Sequence, residues 1–91
     1  TKIPFPNGDL PKSRGHFEAS IAGSPTYLAT KVLYAGMNAL KAGDKATFKR
    51  MLDEVAAFDL QTAPELIPEN TIEKRKGADL LEEIDVYFPE D

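Results

Sequence analysis

The sequence predicts a mainly α-helical fold, and two observations support this class. First, two segments, at about 25–42 and 45–58, carry apolar side chains at helical spacing. Second, only about two residues separate them, so the helices must fold back as an antiparallel hairpin. The 91-residue chain is 42% hydrophobic and 29% charged, which is typical of a small globular domain. We therefore expect one small helical domain over residues 16–91, preceded by an extended arm over residues 1–15.

The arm is predicted from its composition. Residues 1–15 include three prolines and two glycines. Proline lacks the amide donor that regular structure needs, and glycine is conformationally loose. Three apolar side chains, those of Ile3, Phe5 and Leu10, are spaced along the arm, and we expect them to dock on the domain or on another chain.

A short two-stranded β pair is the alternative to an all-helical domain, and it would make the fold α+β. Phe17, Ala19 and Ile21 alternate with polar neighbours, as in a strand with one buried face. Residues 84–88 alternate in the same way, so they could be a strand that pairs with residues 17–21.

The first helix of the hairpin is expected to begin at Ser24, which can cap it, with Pro25 in the first turn. Gly43 is expected to end it. Its apolar side chains form two stripes: Leu28, Val32, Ala35 and Ala39, and beside them Leu33, Met37 and Leu40. Together the stripes cover about 200°, which predicts packing on two sides of the helix. The polar face that remains carries Lys31, Tyr34, Asn38 and Lys41.

The second helix of the hairpin is expected to be capped by Asp44 and to have one apolar face. That face carries Phe48, Met51, Leu52, Val55 and Phe58. Lys49 and Asp53 lie four residues apart on the other side, where they can form an ion pair.

The C-terminal third predicts a loop followed by a weaker helix. Residues 61–70 contain two prolines and are expected to form the loop. The helix is expected from Thr71 to about Ile84, with Asn70 as a possible cap and Gly77 weakening its middle.

Composition limits the location of the protein and its chemistry. The chain has no cysteine, which excludes disulfides and thiolate sites and favours a reducing compartment, so we expect a cytoplasmic protein. No apolar run approaches the ~20 residues that span a bilayer, so no membrane contact is expected. The net charge of −4 divides into +5 for residues 1–50 and −9 for residues 51–91, which could orient a partner or a second copy.

No catalytic, cofactor or metal site is predicted, and the chain is not expected to be an enzyme. His16 is the only histidine, and no orienting acid or substrate pocket is evident beside it. The C-terminal acidic residues lack the alternating ligand order of a calcium loop. No residue pattern in the chain identifies a protein family.

The leading hypothesis for function is a non-enzymatic protein-interaction module, a small accessory, inhibitor or assembly protein of the phage or mobile-element type. Its partner would be another protein or a second copy of the chain. Aromatic side chains are common at the centres of protein interfaces, and the aromatic and charged side chains of this chain could form one. The candidate interface residues are Tyr27, Lys31, Tyr34, Asn38, Lys41, Tyr87 and Phe88.

The alternative hypothesis is a small nucleic-acid-associated regulator. Basic side chains on the arm and at the start of the second helix could contact phosphates. These candidates are Lys12, Arg14, Lys45, Lys49 and Arg50. The acidic total of the chain disfavours this hypothesis.

Overall fold

The computed structural model describes residues 10–89, and every regular element within them is helical. The bounds are α1 Leu10–Gly23, α2 Leu28–Tyr34, a π-helical segment Ala35–Ala39, α3 Leu40–Ala42, α4 Lys45–Ala57, two 3-10 turns Leu60–Thr62 and Pro64–Leu66, α5 Ile67–Glu82, and α6 Ile84–Tyr87. The predicted mainly α-helical class is therefore confirmed.

Helix α1 occupies both the end of the predicted arm and the first predicted strand. Residues 1–9 lie outside the described residues, whereas residues 10–15 form the first turns of α1 rather than extended backbone. Pro11 stands in the first turn, where no amide donor is required. Phe17 and Ile21 are four residues apart, so a helix places them on one face, and both pack against the core. A helix brings both side chains into contact with the core, which explains why this segment is helical although its alternating pattern suggested a strand.

The second predicted strand is also helical, so the β pair is wrong for the described residues. Ile84–Tyr87 form α6, and the amide of Phe88 donates to the carbonyl of Ile84 at 2.9 Å. The ring of Phe88 packs edge-on against Phe48, with 5.2 Å between the ring centroids. Helical spacing therefore brings Ile84 and Phe88 to the core together.

The predicted hairpin is present, but its first helix begins later than expected. The α2, π-helical and α3 segments form one rod over residues 28–42, called the bulged helix below. Ser24 and Pro25 precede this rod and are not part of it. The amide of Leu28 donates to the side chain of Asn70 at 3.1 Å, so a distant residue satisfies the helix start in place of Ser24.

The connection between the two hairpin helices follows the prediction. Gly43 ends the bulged helix in the left-handed conformation, with φ 73°, which glycine adopts without steric penalty. The amide of Asp44 donates to the carbonyl of Ala39 at 2.8 Å, which completes the helix end. The Asp44 side chain then accepts from the amide of Thr47 at 3.0 Å and caps α4.

The core lies where the bulged helix, α4 and α5 pack together. Helix α4 buries the apolar stripe that the sequence predicted, with Phe48, Met51, Leu52 and Val55 all buried. Helix α5 begins earlier than predicted, so Asn70 lies inside it rather than capping it. Gly77 allows α5 to approach α4 closely, since an added Cβ would lie 3.3 Å from Val55 Cγ1.

Candidate protein-interaction surface

The side chains predicted to form an interface do not share one surface. Three of them are buried, at exposures of 8% or less: Tyr34, Asn38 and Phe88. Three others are exposed: Tyr27, Lys41 and Tyr87. The ammonium group of Lys31 pairs with a Glu54 carboxylate oxygen at 3.2 Å, and the lysine side chain is only 14% exposed. The predicted polar face of the bulged helix is therefore largely covered.

Helix α1 is the element that covers this face. The ring of Phe17 stacks on the ring of Tyr34, with 5.4 Å between centroids and 8° between planes. The Tyr34 hydroxyl donates to Glu18 Oε2 at 2.8 Å. Tyr34 thus satisfies its only polar group while its ring is fully buried, as buried tyrosines usually do.

Arg14 ties α1 to the N-terminus of α4. Its Nη1 donates to Asp44 Oδ2 at 3.0 Å, and its Nη2 donates to Thr47 Oγ1 at 3.1 Å. Its Nε donates to Glu18 Oε2 at 3.3 Å, so this carboxylate oxygen accepts hydrogen bonds from both Tyr34 and Arg14. These five side chains, which we call the α1 network, link three helices.

Hydrogen bonds and burial shift the pKa values of the ionisable side chains in the α1 network. Hydrogen bonds from Tyr34 and then Arg14 lower the pKa of Glu18. The hydroxyl and then the amide of Thr47 lower the pKa of Asp44. Burial, followed by the bond to Glu18, raises the pKa of Tyr34. Each shift moves the pKa away from neutrality, so the network suits holding α1 in place rather than transferring protons.

Two side chains of the second predicted apolar stripe, Leu33 and Met37, are exposed instead and are called the exposed stripe below. Leu33 is 48% exposed and Met37 is 55% exposed, and they lie one turn apart on the bulged helix. An added Cβ at Gly36 would lie 3.9 Å from Leu80 of α5, so α5 covers the neighbouring side of the rod. The prediction of packing on this side was wrong because α1, taken for an arm and a strand, packs on the Tyr34 side. Recognising Phe17 and Ile21 as a helical pair would have revealed this.

The candidate nucleic-acid contacts do not gather into a basic surface. Arg14 is neutralised by two carboxylates, and Lys49 pairs with Asp53 at 2.7 Å. A shallow groove of about 520 Å³ follows the outer side of α4, and its charged lining mixes both signs: Lys49, Arg50, Asp53 and Glu54. Lys12 is exposed on α1 and Lys45 is half-buried at the start of α4. A mixed surface gives little attraction for a phosphate backbone.

Neither a metal centre nor a membrane span is found among the described residues. Within residues 10–89 no group of three or more histidine, cysteine or acidic side chains is placed to hold a metal ion. In the same part of the chain, no helix has the length and apolar character needed to cross a bilayer. His16 is exposed on α1.

Comparison with known proteins identifies a family. A family model described as TRAP transporter T-component matches residues 3–88, which is most of the chain. No curated protein and no solved structure matches it.

This match corrects the predicted function and location. A transporter component is neither a phage or mobile-element interaction module nor a nucleic-acid-associated regulator, so both hypotheses were wrong. The predicted cytoplasmic location was also wrong, because the family serves a membrane transport system. The location was predicted from composition and the functions from the positions of aromatic, charged and basic side chains, and neither identifies the assembly in which a small helical domain works. The partner is a protein, as predicted.

Proposed function

The chain belongs to the TRAP transporter T-component family, and we propose that it is a non-catalytic accessory subunit of a TRAP transporter. The family match over residues 3–88 carries this proposal. We further propose that the subunit works by binding another protein of the transporter. The paired polar groups of the α1 network support a structural rather than a chemical role for the described charges.

We propose that the exposed stripe of the bulged helix makes this contact. Leu33 and Met37 are each about half exposed, although both are large apolar side chains. Burying such side chains contributes roughly 25 cal/mol for each Å² of apolar surface removed from water. Methionine also adapts its shape to a partner surface. Tyr27 and Tyr87 remain exposed and stay candidates for further contacts.

The test is affinity capture from detergent-solubilised membranes of the source cell, with bound proteins identified by mass spectrometry. We expect the tagged chain to enrich TRAP transporter proteins. The variant Leu33→Ser/Met37→Ser should lose most of this enrichment, because it removes the apolar stripe. Ile72→Ser is the matched control, since Ile72 is 57% exposed but lies on α5. Capture of no transporter protein would refute the proposed function.

A second copy of the chain is the other predicted partner, and light scattering after size exclusion tests it. We expect a single-chain mass of 10.0 kDa for the Leu33→Ser/Met37→Ser variant. If the unsubstituted chain forms larger particles that this variant does not form, the stripe binds a second copy instead of another transporter protein.

A further inference from the structure

Helix α1 is attached to the domain differently from the helices of the core. None of its described side chains, from Pro11 to Gly23, is buried, whereas α4 buries five side chains. A partly open cavity of about 160 Å³ lies beside α1 and is lined by Pro11, Arg14, Asn38 and Ala42. The attachment of α1 therefore depends on a few side-chain anchors, those of Arg14, Phe17, Glu18 and Ile21.

The face beneath α1 is complementary to those few anchors. It offers the buried ring of Tyr34 to Phe17, the Tyr34 hydroxyl to Glu18, and the oxygens of Asp44 and Thr47 to Arg14. The arginine, the aromatic ring and the carboxylate stand on one helix at positions i, i+3 and i+4, which places all three on one face. A helix with this pattern can therefore engage the Tyr34 ring and these polar groups, and Ile21, one turn after Phe17, adds an apolar contact with the core.

The connection between α1 and the bulged helix is held at its far end by α5, not by α1. Four residues, 24–27, separate the two helices. The Asn70 side chain holds the far end of this connection: it accepts from the Leu28 amide at 3.1 Å and donates to the Thr26 carbonyl at 2.9 Å. Since Asn70 belongs to α5, the bulged helix keeps its start fixed whether or not α1 is docked.

We propose that α1 is a displaceable cover over a helix-binding face, and that a helix of a partner protein takes its place. The face is formed by Tyr34, Asp44 and Thr47. The partner helix carries an arginine, an aromatic residue and an acidic residue at positions i, i+3 and i+4, as α1 does. The identity of the partner as a transporter protein rests on the proposed function, whereas the face and its cover do not.

Hydrogen exchange on the 91-residue chain tests whether α1 opens separately. We expect the amides of α1 to exchange through an opening at least ~10-fold more frequent than the opening that exposes the α4 amides, because local units unfold more readily than the core. Equal protection of α1 and α4 would overturn the proposal, since it would mean that α1 leaves only when the whole domain unfolds.

A binding experiment tests the face itself. The probe is a fluorescent synthetic peptide of residues 10–23, titrated with the 91-residue chain. We expect at least ~10-fold tighter binding to the Arg14→Ala/Phe17→Ala variant than to the unsubstituted chain, because the apparent affinity rises with the fraction of chains whose face is open. Lys12→Ala/His16→Ala is the matched control, since both side chains are exposed on α1, and it should bind like the unsubstituted chain.

Two further variants keep the experiment decisive. Arg14→Ala alone retains the stack of Phe17 on Tyr34. This single variant therefore tests the face if the double variant is unfolded, which loss of hydrogen-exchange protection in α4 would show. Adding Asp44→Asn to either variant should weaken peptide binding, because it removes the charge that faces the arginine. Equal binding by all variants, or no binding by any, would overturn the proposal. No transporter protein is present in this titration, so its failure is distinct from failure of the membrane capture.

Discussion

Replacing Tyr34 by alanine should strongly destabilise the domain, which is the clearest consequence of its position beneath α1. Tyr34 is fully buried, so Tyr34→Ala removes an aromatic ring from the core and breaks the stack on Phe17. Truncation of a buried aromatic side chain costs about 3–5 kcal/mol. A chain of this length has a free energy of unfolding of about 5–14 kcal/mol, so the loss is a large part of the total.

The conservative change separates the ring from the hydroxyl. Tyr34→Phe keeps the ring and removes only the 2.8 Å hydrogen bond to Glu18. Because Glu18 can then bond to water, we expect a loss of only about 1 kcal/mol. For a domain of this size, 1 kcal/mol corresponds to a fall of about 4–8 °C in Tm.

Urea and thermal unfolding followed by circular dichroism measure both variants. Tyr27→Ala is the control, because Tyr27 is 43% exposed and should lose less than about 1 kcal/mol. If Tyr34→Ala and Tyr27→Ala lower the free energy of unfolding equally, the argument that α1 covers the bulged helix fails.

Three further predictions concern stability. Lys74 donates to three carbonyls at the end of α4, at 2.7–3.1 Å, so Lys74→Met should lower Tm by several degrees while Lys76→Met, at an exposed position, should not. Gly15→Ala should stabilise by about 0.5–1 kcal/mol because nothing lies within 4 Å of the added methyl, whereas Gly77→Ala should gain nothing because α4 crowds it at 3.3 Å; equal gains in Tm would contradict this difference. The pKa of Asp44 is lowered in the folded chain, so its carboxylate contributes fully to the free energy of unfolding above its unfolded-state pKa. This contribution is lost as the pH falls through the lower folded-state pKa. Acidification below about pH 4 should therefore cost the Asp44→Asn variant less stability than it costs the unsubstituted chain.

Features set by neighbouring residues were predictable from the sequence. Gly43 and Asp44 signal a helix end and a helix start through their own backbone and side-chain preferences, and both act as expected. The apolar stripe of α4 was equally clear, because Phe48, Leu52 and Val55 follow helical spacing on one face only.

Features set by distant residues were not predictable in this way. The bulged helix carries apolar or aromatic side chains around most of its circumference, so its own pattern does not decide which side is covered. The covered side depends on α1, whose Phe17 stacks on Tyr34, and on α5, whose Leu80 lies beside Gly36. Leu33 and Met37 were therefore placed inside, and Tyr34 and Asn38 outside, in each case opposite to the structure.

The Asn70 side chain also has a consequence for the order in which the chain folds. The hairpin of the bulged helix and α4 closes over a short connection, so it can form early, because local contacts are made quickly. Its first turn cannot be completed at that stage, because the partner of the Leu28 amide stands 42 positions further along the chain. We therefore expect the beginning of the hairpin to fray until α5 docks on it and the Asn70 side chain accepts the hydrogen bond of the Leu28 amide.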